Sequence, residues 1–200
     1  MATDIDLRSV EVTFIGTRPL LMNNGRMALG AFDEHARAVK EITDKRKKTE
    51  ADLMEKARRE WRGSMYYDDD LGPYVPSENI EKCMVMGARK HKLGTYLEQG
   101  FQVEQELVAL EYDGPRTVDE LEAAGDRYQF NTGVKMGRTG GRVLKRRPIF
   151  RDWSLRFTAI YDPLVCDLDY IERAAKTAGA QVGLGDWRPR YGRFEAKVAE

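Results

Sequence analysis

The sequence predicts a mixed α+β fold in which two helices cover one face of an antiparallel sheet, and three observations carry that expectation. Apolar alternation at strand period stands near both ends of the 200-residue chain and again around residue 155. Helix-period apolar spacing fills 77–92 and 167–181, between those strands. A further strand-like stretch at 101–113 completes the chain order βαββαβ. Two hundred residues can bury a sizeable core. No internal repeat or low-complexity linker interrupts them, so residues 1–200 read as a single domain with a helical insertion at about 31–63.

The first strand, over 9–15, is read from RSVEVTFIG, where Val10, Val12 and Phe14 alternate with Glu11 and Thr13. Pro19 and NNG in TRPLLMNNGRM then give a kinked extended segment and a turn. From Phe32 to Trp61 the chain is helical and heavily charged, and Thr49 and Asp52, spaced as a helix-start box, divide it into two helices. SMYYDDDLGPYVP sets two short aromatic arms around an acidic turn with Gly72 and Pro73, a small hairpin. Ser77 is placed to cap the next helix, along which Ile80, Cys83, Met84, Gly87, Ala88 and His91 recur until Gly94 ends it. FQVEQELVALEYDG and RYQFNTGVKMG read as strands, with TVDELEAA a short helix between them; the second alternates Tyr128, Phe130, Thr132, Val134 and Met136. In WSLRFTAIYD, Trp153, Leu155, Phe157, Ala159 and Tyr161 share one face of a strand over 152–161. Asp167 caps a helix carrying Leu168, Ile171, Ala175, Ala178 and Val182. A glycine loop then leads into the last strand, 191–198. Val10, Val12, Phe14, Leu155, Phe157, Phe194 and Ala196 are thereby expected to contribute to the core of one antiparallel sheet. This is the ferredoxin-like, RNA-recognition-type arrangement, with a helical insertion after strand 1 and a basic excursion before strand 3. That fold serves many functions and specifies none.

Composition removes several classes. The 33 Lys and Arg residues cancel the 33 Asp and Glu residues, so no global field selects an acidic partner and only local distribution can speak. Cys83 and Cys166 lie too far apart for a metal pair or a disulfide framework and read as small core residues. With no secretory leader, and no apolar run near the roughly 20 residues of a membrane helix, the expected location is the cytoplasm. No P-loop, zinc spacing or serine elbow is present, so no cofactor and no metal are expected.

Charge distribution is what points to function. Between residues 135 and 151 stand Lys135, Arg138, Arg142, Lys145, Arg146, Arg147 and Arg151, with no acidic residue among them. The stretch VGLGDWRPRYGRFEAKV adds Arg188, Arg190 and Arg193 against the single Asp186. Guanidinium groups suit phosphate oxygens, and flat side chains such as Trp187 and Tyr191 stack on bases, so the two segments together describe a single-strand binding surface. Gly183, Gly185 and Gly192 let the backbone approach a sugar-phosphate chain without a side chain in the way. The bland alternative is a pair of solvated charge runs and a tight turn packed on its own sheet.

A helix ending in small residues, followed by GLGDWRPRYGRFEAKV as loop and final strand, resembles the carboxy-terminal end of the RAMP superfamily, the repeat-associated proteins of CRISPR systems. The amino-terminal VEVTFIGTRPLLM is similar to the first strand of such proteins. Gly183, Gly185 and Gly192 match their loop glycines, although YGRF stands here in place of the usual double-glycine ending. Residues 30–75 and 114–150 have no obvious counterpart; 138–151 take, by analogy, the place of the basic excursion that many of these subunits extend towards RNA. The whole chain also resembles uncharacterised proteins of bacteriophages and prophages that share the GDWRPRYGRF ending. The resemblance implies binding of single-stranded RNA or DNA by a phage-encoded, non-enzymatic protein in the host cytoplasm, a homo-oligomer assembling along the strand, as filament-forming backbone subunits do.

Two other classes stay open. One is a phage interaction or structural protein, such as an inhibitor of a host defence complex, whose arginines meet protein. The other is a metal-free RNA endonuclease, since some RAMP proteins cleave RNA and RKHKLG sets His91 between Lys90 and Lys92. His91 also falls at the end of an apolar helix face, where a histidine is more often structural. His35 lies in the charged insertion without a partner. Asp68, Asp69 and Asp70 can in principle hold Mg²⁺, but three consecutive acids on a turn point in different directions.

Overall fold

A computed structural model gives the fold and describes residues 6–135 and 142–199. In chain order the elements are β1 (Arg8–Gly16), β2 (Leu20–Leu21), α1 (Glu34–Asp44), α2 (Glu50–Ser64), β3 (Tyr67–Asp68), β4 (Gly72–Pro76), α3 (Ser77–Arg89), α4 (Gly94–Gly100), β5 (Phe101–Val103), β6 (Leu107–Ala109), α5 (Val118–Ala123), β7 (Gln129–Lys135), β8 (Arg142–Phe150), β9 (Ser154–Tyr161), α6 (Leu168–Thr177) and β10 (Phe194–Ala199).

The central sheet has four antiparallel strands in the order β10-β1-β9-β5. Counted along the βαββαβ path these are the fourth, first, third and second strands, the ferredoxin-like order. Register explains the core. Phe14 faces Ala196 on one side and Leu155 on the other, and Val12 faces Val198 and Phe157, so one pleat face is apolar across three strands. Val10, Val12, Phe14, Leu155, Phe157 and Phe194 are all buried there, while Ala196 packs half-buried at the rim. Phe14 stacks on Phe194 at 3.9 Å between ring centroids and meets Phe157 edge-on at 5.1 Å. Each such large side chain contributes about 2 kcal/mol on burial.

Helices α3 and α6 close that face with Ile80, Cys83, Met84 and Ala88 from one and Ile171, Ala174 and Ala175 from the other. They lie close enough that a side chain at Gly87 would overlap the Ala174 carbonyl oxygen. Both cysteines are buried and free, and burial pushes each thiol up to about 12. Asp167 caps α6 by accepting from the Tyr170 amide at 2.9 Å. A π-helical turn, Ala178–Val182, extends α6 into the glycine loop.

The insertion is a helical hairpin. Thr49 and Asp52 form the reciprocal box that the sequence predicts, the Asp52 amide donating to Thr49 Oγ1 (3.2 Å) and the Thr49 amide to Asp52 Oδ2 (2.9 Å). Lys45 Nζ at 2.5 Å, then the Thr49 amide and hydroxyl, hold the Asp52 carboxyl down to about 2. Helix α2 packs over β8, and buried Trp61 donates to the Tyr128 carbonyl at 2.9 Å. Two small sheets, β2-β8-β7 and β3-β4-β6, surround the core. Among the described residues no helix is long and apolar enough to cross a membrane.

Four sequence expectations change. Helix α3 begins directly after Pro76, so Ser77 is its first residue and makes no side-chain cap. It stops at Arg89, because Lys92 takes a left-handed φ of 64° and the Leu93 amide turns back to the Ala88 carbonyl (3.0 Å); Gly94 opens α4 instead of ending α3. The single strand over 101–113 divides at Glu104–Glu106: β5 pairs with β9, whereas β6 leaves to pair with β4. The basic excursion is, over 142–150, a regular strand, paired residue by residue with β7 over 142–148 and with β2 at Ile149 and Phe150.

Candidate nucleic-acid interface

The two basic segments singled out in the sequence meet in space. Phe130 on β7 touches both loop aromatics, with ring centroids 5.7 Å from Trp187 and 5.6 Å from Tyr191. On β8, Arg147 Nε lies 3.4 Å from Asp186 Oδ2 in the loop and its NH1 donates to Ser64 Oγ at 3.1 Å.

The loop itself is tied to the chain behind it. The Asp186 amide donates to the Leu21 carbonyl, the Gly192 amide to Pro19 and the Leu184 amide to Gly192, each at 2.8 Å. That close fit explains the glycines. Gly183, Gly185 and Gly192 have φ of 78°, 79° and 69°, and an added side chain would run into the carbonyl oxygens of Tyr191, Leu21 and Leu184 respectively. The three glycines thus bring the loop against its own fold, and what projects outward is side chains. Trp187, φ 53°, is 40% exposed despite its packing on Phe130. Arg188 and Arg190 are exposed, and neither has a carboxylate at ion-pair distance among the described residues. Arg193 donates from Nε to the Pro189 carbonyl at 2.8 Å.

The β8 cations divide by strand alternation. Lys145 and Arg147 face α2, where Lys145 Nζ lies 2.7 Å from Glu60 Oε1, an oxygen that also accepts from Lys56 Nζ at 2.9 Å. Glu60 is 2% exposed, so Lys145 completes a buried ionic cluster. Arg146 points the other way and meets Asn131 Oδ1 at 2.8 Å. Arg151 donates to the Arg127 carbonyl. Arg138 and the side chains of Lys135 and Arg142 lie outside the described residues. The run therefore does not form one continuous open face: Lys145 and Arg147 are held within the fold, and exposed Arg151 is tied to the Arg127 carbonyl.

A cleft of about 130 Å³ opens beside the loop, lined by Asn23, Tyr66, Asn79, Lys82, Asp186 and Arg188 around the Gly185 backbone. Lys82 is exposed with no ion-pair partner among the described residues. Asn79, Lys82 and Met86 follow one another at helical spacing on the outer face of α3, and Arg188 NH1 reaches Met86 Sδ at 3.8 Å. Sequence reasoning missed Asn79 and Lys82, because the polar face of an amphipathic helix looks like ordinary solvated surface. The i, i+3, i+7 spacing across from the apolar face was the available signal.

The opposite, open face of the sheet has different chemistry. Its strands present Ser9, Glu11, Thr13 and Ile15, then Ser154, Arg156, Thr158 and Ile160, then Glu195 and Lys197, with no aromatic side chain. RNA-recognition domains that use this face stack bases on aromatic residues there. This face's shallow concavity is lined by Glu111, Asp113 and Asp152 with Arg156 and Lys197, and its aromatics, half-buried Tyr112 and buried Trp153, come from outside the strands. On the loop side, Lys82, Arg188 and Arg190 are exposed without carboxylate partners among the described residues, and Trp187 stands beside them.

The remaining candidates have local explanations. His91 shares a 2.7 Å hydrogen bond with Thr177 Oγ1, joining the end of α3 to α6. Asp68 Oδ1 accepts from the Asp70 and Leu71 amides at 3.0 Å, an Asx turn. No group of three His, Cys, Asp or Glu residues suited to a metal occurs among the described residues. His35 lines a cleft with Arg26, Arg62, Asp68 and Asp119, and its pKa is lowered, first by burial and then by Arg26.

No protein-family model matches the chain, and no curated protein matches it in sequence. Among solved structures it is similar to a chain from the cryo-EM structure of the Type III-B Cmr-beta bound to cognate target RNA, with a TM-score of 0.51 at 12% sequence identity. The likeness covers 97% of this chain and 61% of that one, so the protein spans well under two thirds of its neighbour's length. At that identity the likeness is one of fold. It is an α+β fold of the ferredoxin-like kind, and the likeness extends over nearly the whole chain, beyond the two ends to which the sequence resemblance was confined.

Proposed function

We propose that this protein binds single-stranded nucleic acid, RNA in preference to DNA, along the face where the glycine loop, α3 and the β7–β8 hairpin meet. The observation that carries the reading is a set of exposed cations without carboxylate partners among the described residues, Lys82 and Arg188 lining a cleft and Arg190 two residues further along the same loop, beside the exposed Trp187, in a chain of zero net charge. Exposed cations without carboxylate partners are available to phosphate, and a half-exposed indole beside them offers a base a stacking surface. The neighbour's target RNA favours RNA over DNA as ligand. In this reading residues 1–200 act as a single domain of a phage-encoded homo-oligomer working in the host cytoplasm, and the protein performs no chemistry on the strand.

The test is fluorescence anisotropy with short single-stranded RNA and DNA of mixed sequence, at several salt concentrations, on protein freed of copurified nucleic acid. Wild-type protein should bind RNA, and the Arg188→Ala, Arg190→Ala double variant should bind about tenfold more weakly with an unchanged melting temperature, since each lost phosphate contact is worth somewhat under about 1 kcal/mol near physiological salt. Full affinity in that variant, or no binding by the wild type at low salt, would overturn the reading.

A further inference from the structure

The four-stranded sheet has two edges, and they are finished differently. At one, β5 is three residues long, Glu81 Oε1 takes the Val103 amide at 2.9 Å, and the chain then bends away. At the other, β10 is six residues long and, among the described residues, pairs with β1 alone. A regular edge strand of that length presents a row of unpaired N–H and C=O groups, a template for one more strand.

The side chains of β10 indicate which strand fits. Phe194, Ala196 and Val198 lie on the helix-covered face, and Glu195 and Lys197 on the open face. Within the chain Glu195 sits across from Ile15 and Lys197 across from Thr13, and neither makes an ion pair among the described residues. Consider β10 set antiparallel to a second copy of itself about Ala196. Glu195 then faces the partner's Lys197, and Lys197 faces the partner's Glu195. On the other face, Phe194, Ala196 and Val198 oppose the partner's Val198, Ala196 and Phe194, so the half-buried rim of the core gains apolar neighbours. Moving the two-fold axis to residue 195 sets glutamate against glutamate, and moving it to 197 sets lysine against lysine. Directly opposed like charges are unfavourable and unlike ones favourable, so the strand's own sequence selects one self-pairing register.

We infer that β10 is the seam of a two-fold homodimer in which two four-stranded sheets join into one continuous antiparallel sheet of eight. Such an interface is isologous, each residue meeting its complement through the same two-fold axis. It gives the proposed homo-oligomer a defined contact. The seam needs no nucleic acid, so it stands or falls apart from the binding activity.

Sedimentation of nuclease-treated protein tests it, with Glu195→Lys, Lys197→Glu and the double exchange E195K/K197E compared with wild type. Both substituted positions are solvent-facing, and circular dichroism melts check that folding is unaffected. The wild type should be a dimer. Each single reversal, which opposes like charges twice across the axis, should weaken dimerisation by about tenfold or more, and the double exchange should restore it to within about threefold. Arg188→Ala should leave it unchanged. A wild-type protein that stays monomeric at high micromolar concentration, or single reversals that dimerise as well as wild type, would overturn the seam.

Discussion

Gly192 and Trp187 both hold positive φ angles, 69° and 53°, for different reasons. At Gly192 the backbone has no room: a methyl group there overlaps the Leu184 carbonyl. Gly192→Ala is expected to cost about 3 kcal/mol or more in urea unfolding, combining strain with displacement of the loop, whereas Gly25→Ala, which meets nothing, should stay within about 0.5 kcal/mol. Trp187 instead adopts its strained angle while its ring leans on Phe130, and Trp187→Ala should cost roughly 1 kcal/mol of stability along with affinity. His35 supplies a pH dependence. Burial, then Arg26, lowers its pKa, with Glu34 and Asp33 opposing and Arg59 adding to the lowering. The unfolded chain therefore takes up that proton at a higher pH than the folded one, near the ordinary value of 6.5. Stability from this group is complete above that pH and is lost as pH falls through it towards the folded pKa. Urea midpoints at pH 7.5 and 5.5 should differ less in His35→Gln than in wild type.

A buried carboxylate is one of the polar ties between helix α2 and strand β8, beside the Arg147–Ser64 hydrogen bond. Glu60 accepts from Lys56 and Lys145 through the same oxygen, so its removal leaves two ammonium groups facing each other under α2. Glu60→Ala is expected to destabilise by about 2 kcal/mol and to speed hydrogen exchange in 142–150 before global unfolding. That hairpin also marks where sequence reading stopped. β1, β9, β10, α3 and α6 were legible because each buries a single face, which prints a period of 2 or 3.6 on the residues. β5 and β6 were not separated, because FQVEQELVAL keeps a tolerable alternation through the bend; the choice of β4 as partner for β6 is made by tertiary contact alone. Of the site, Arg188, Arg190 and Trp187 could be found from composition. The structural duties of Lys145 and Arg147 could not, since Glu60 and Asp186 lie 85 and 39 residues away.

For the molecule as a whole, zero net charge conceals a lopsided distribution, with mixed signs on the open sheet face and unpaired cations on the loop side. Lys82, Arg188 and Arg190 are the described cations placed on that side to neutralise phosphate. If each releases one counterion from a single strand, the slope of log affinity against log salt is about −2, and substituting Lys82 by Ala should flatten it by about 0.7. The loop's amides have a kinetic consequence as well. With the Leu184, Asp186 and Gly192 N–H groups already bonded to the chain's own carbonyls, the loop keeps its shape before any ligand arrives. Binding then requires no slow ordering step. Association should proceed at a rate set by diffusion and charge steering, slowed when Lys82 or Arg188 is removed but barely altered by neutral substitutions in the cleft such as Asn79→Ala, which instead shorten the lifetime of the bound strand.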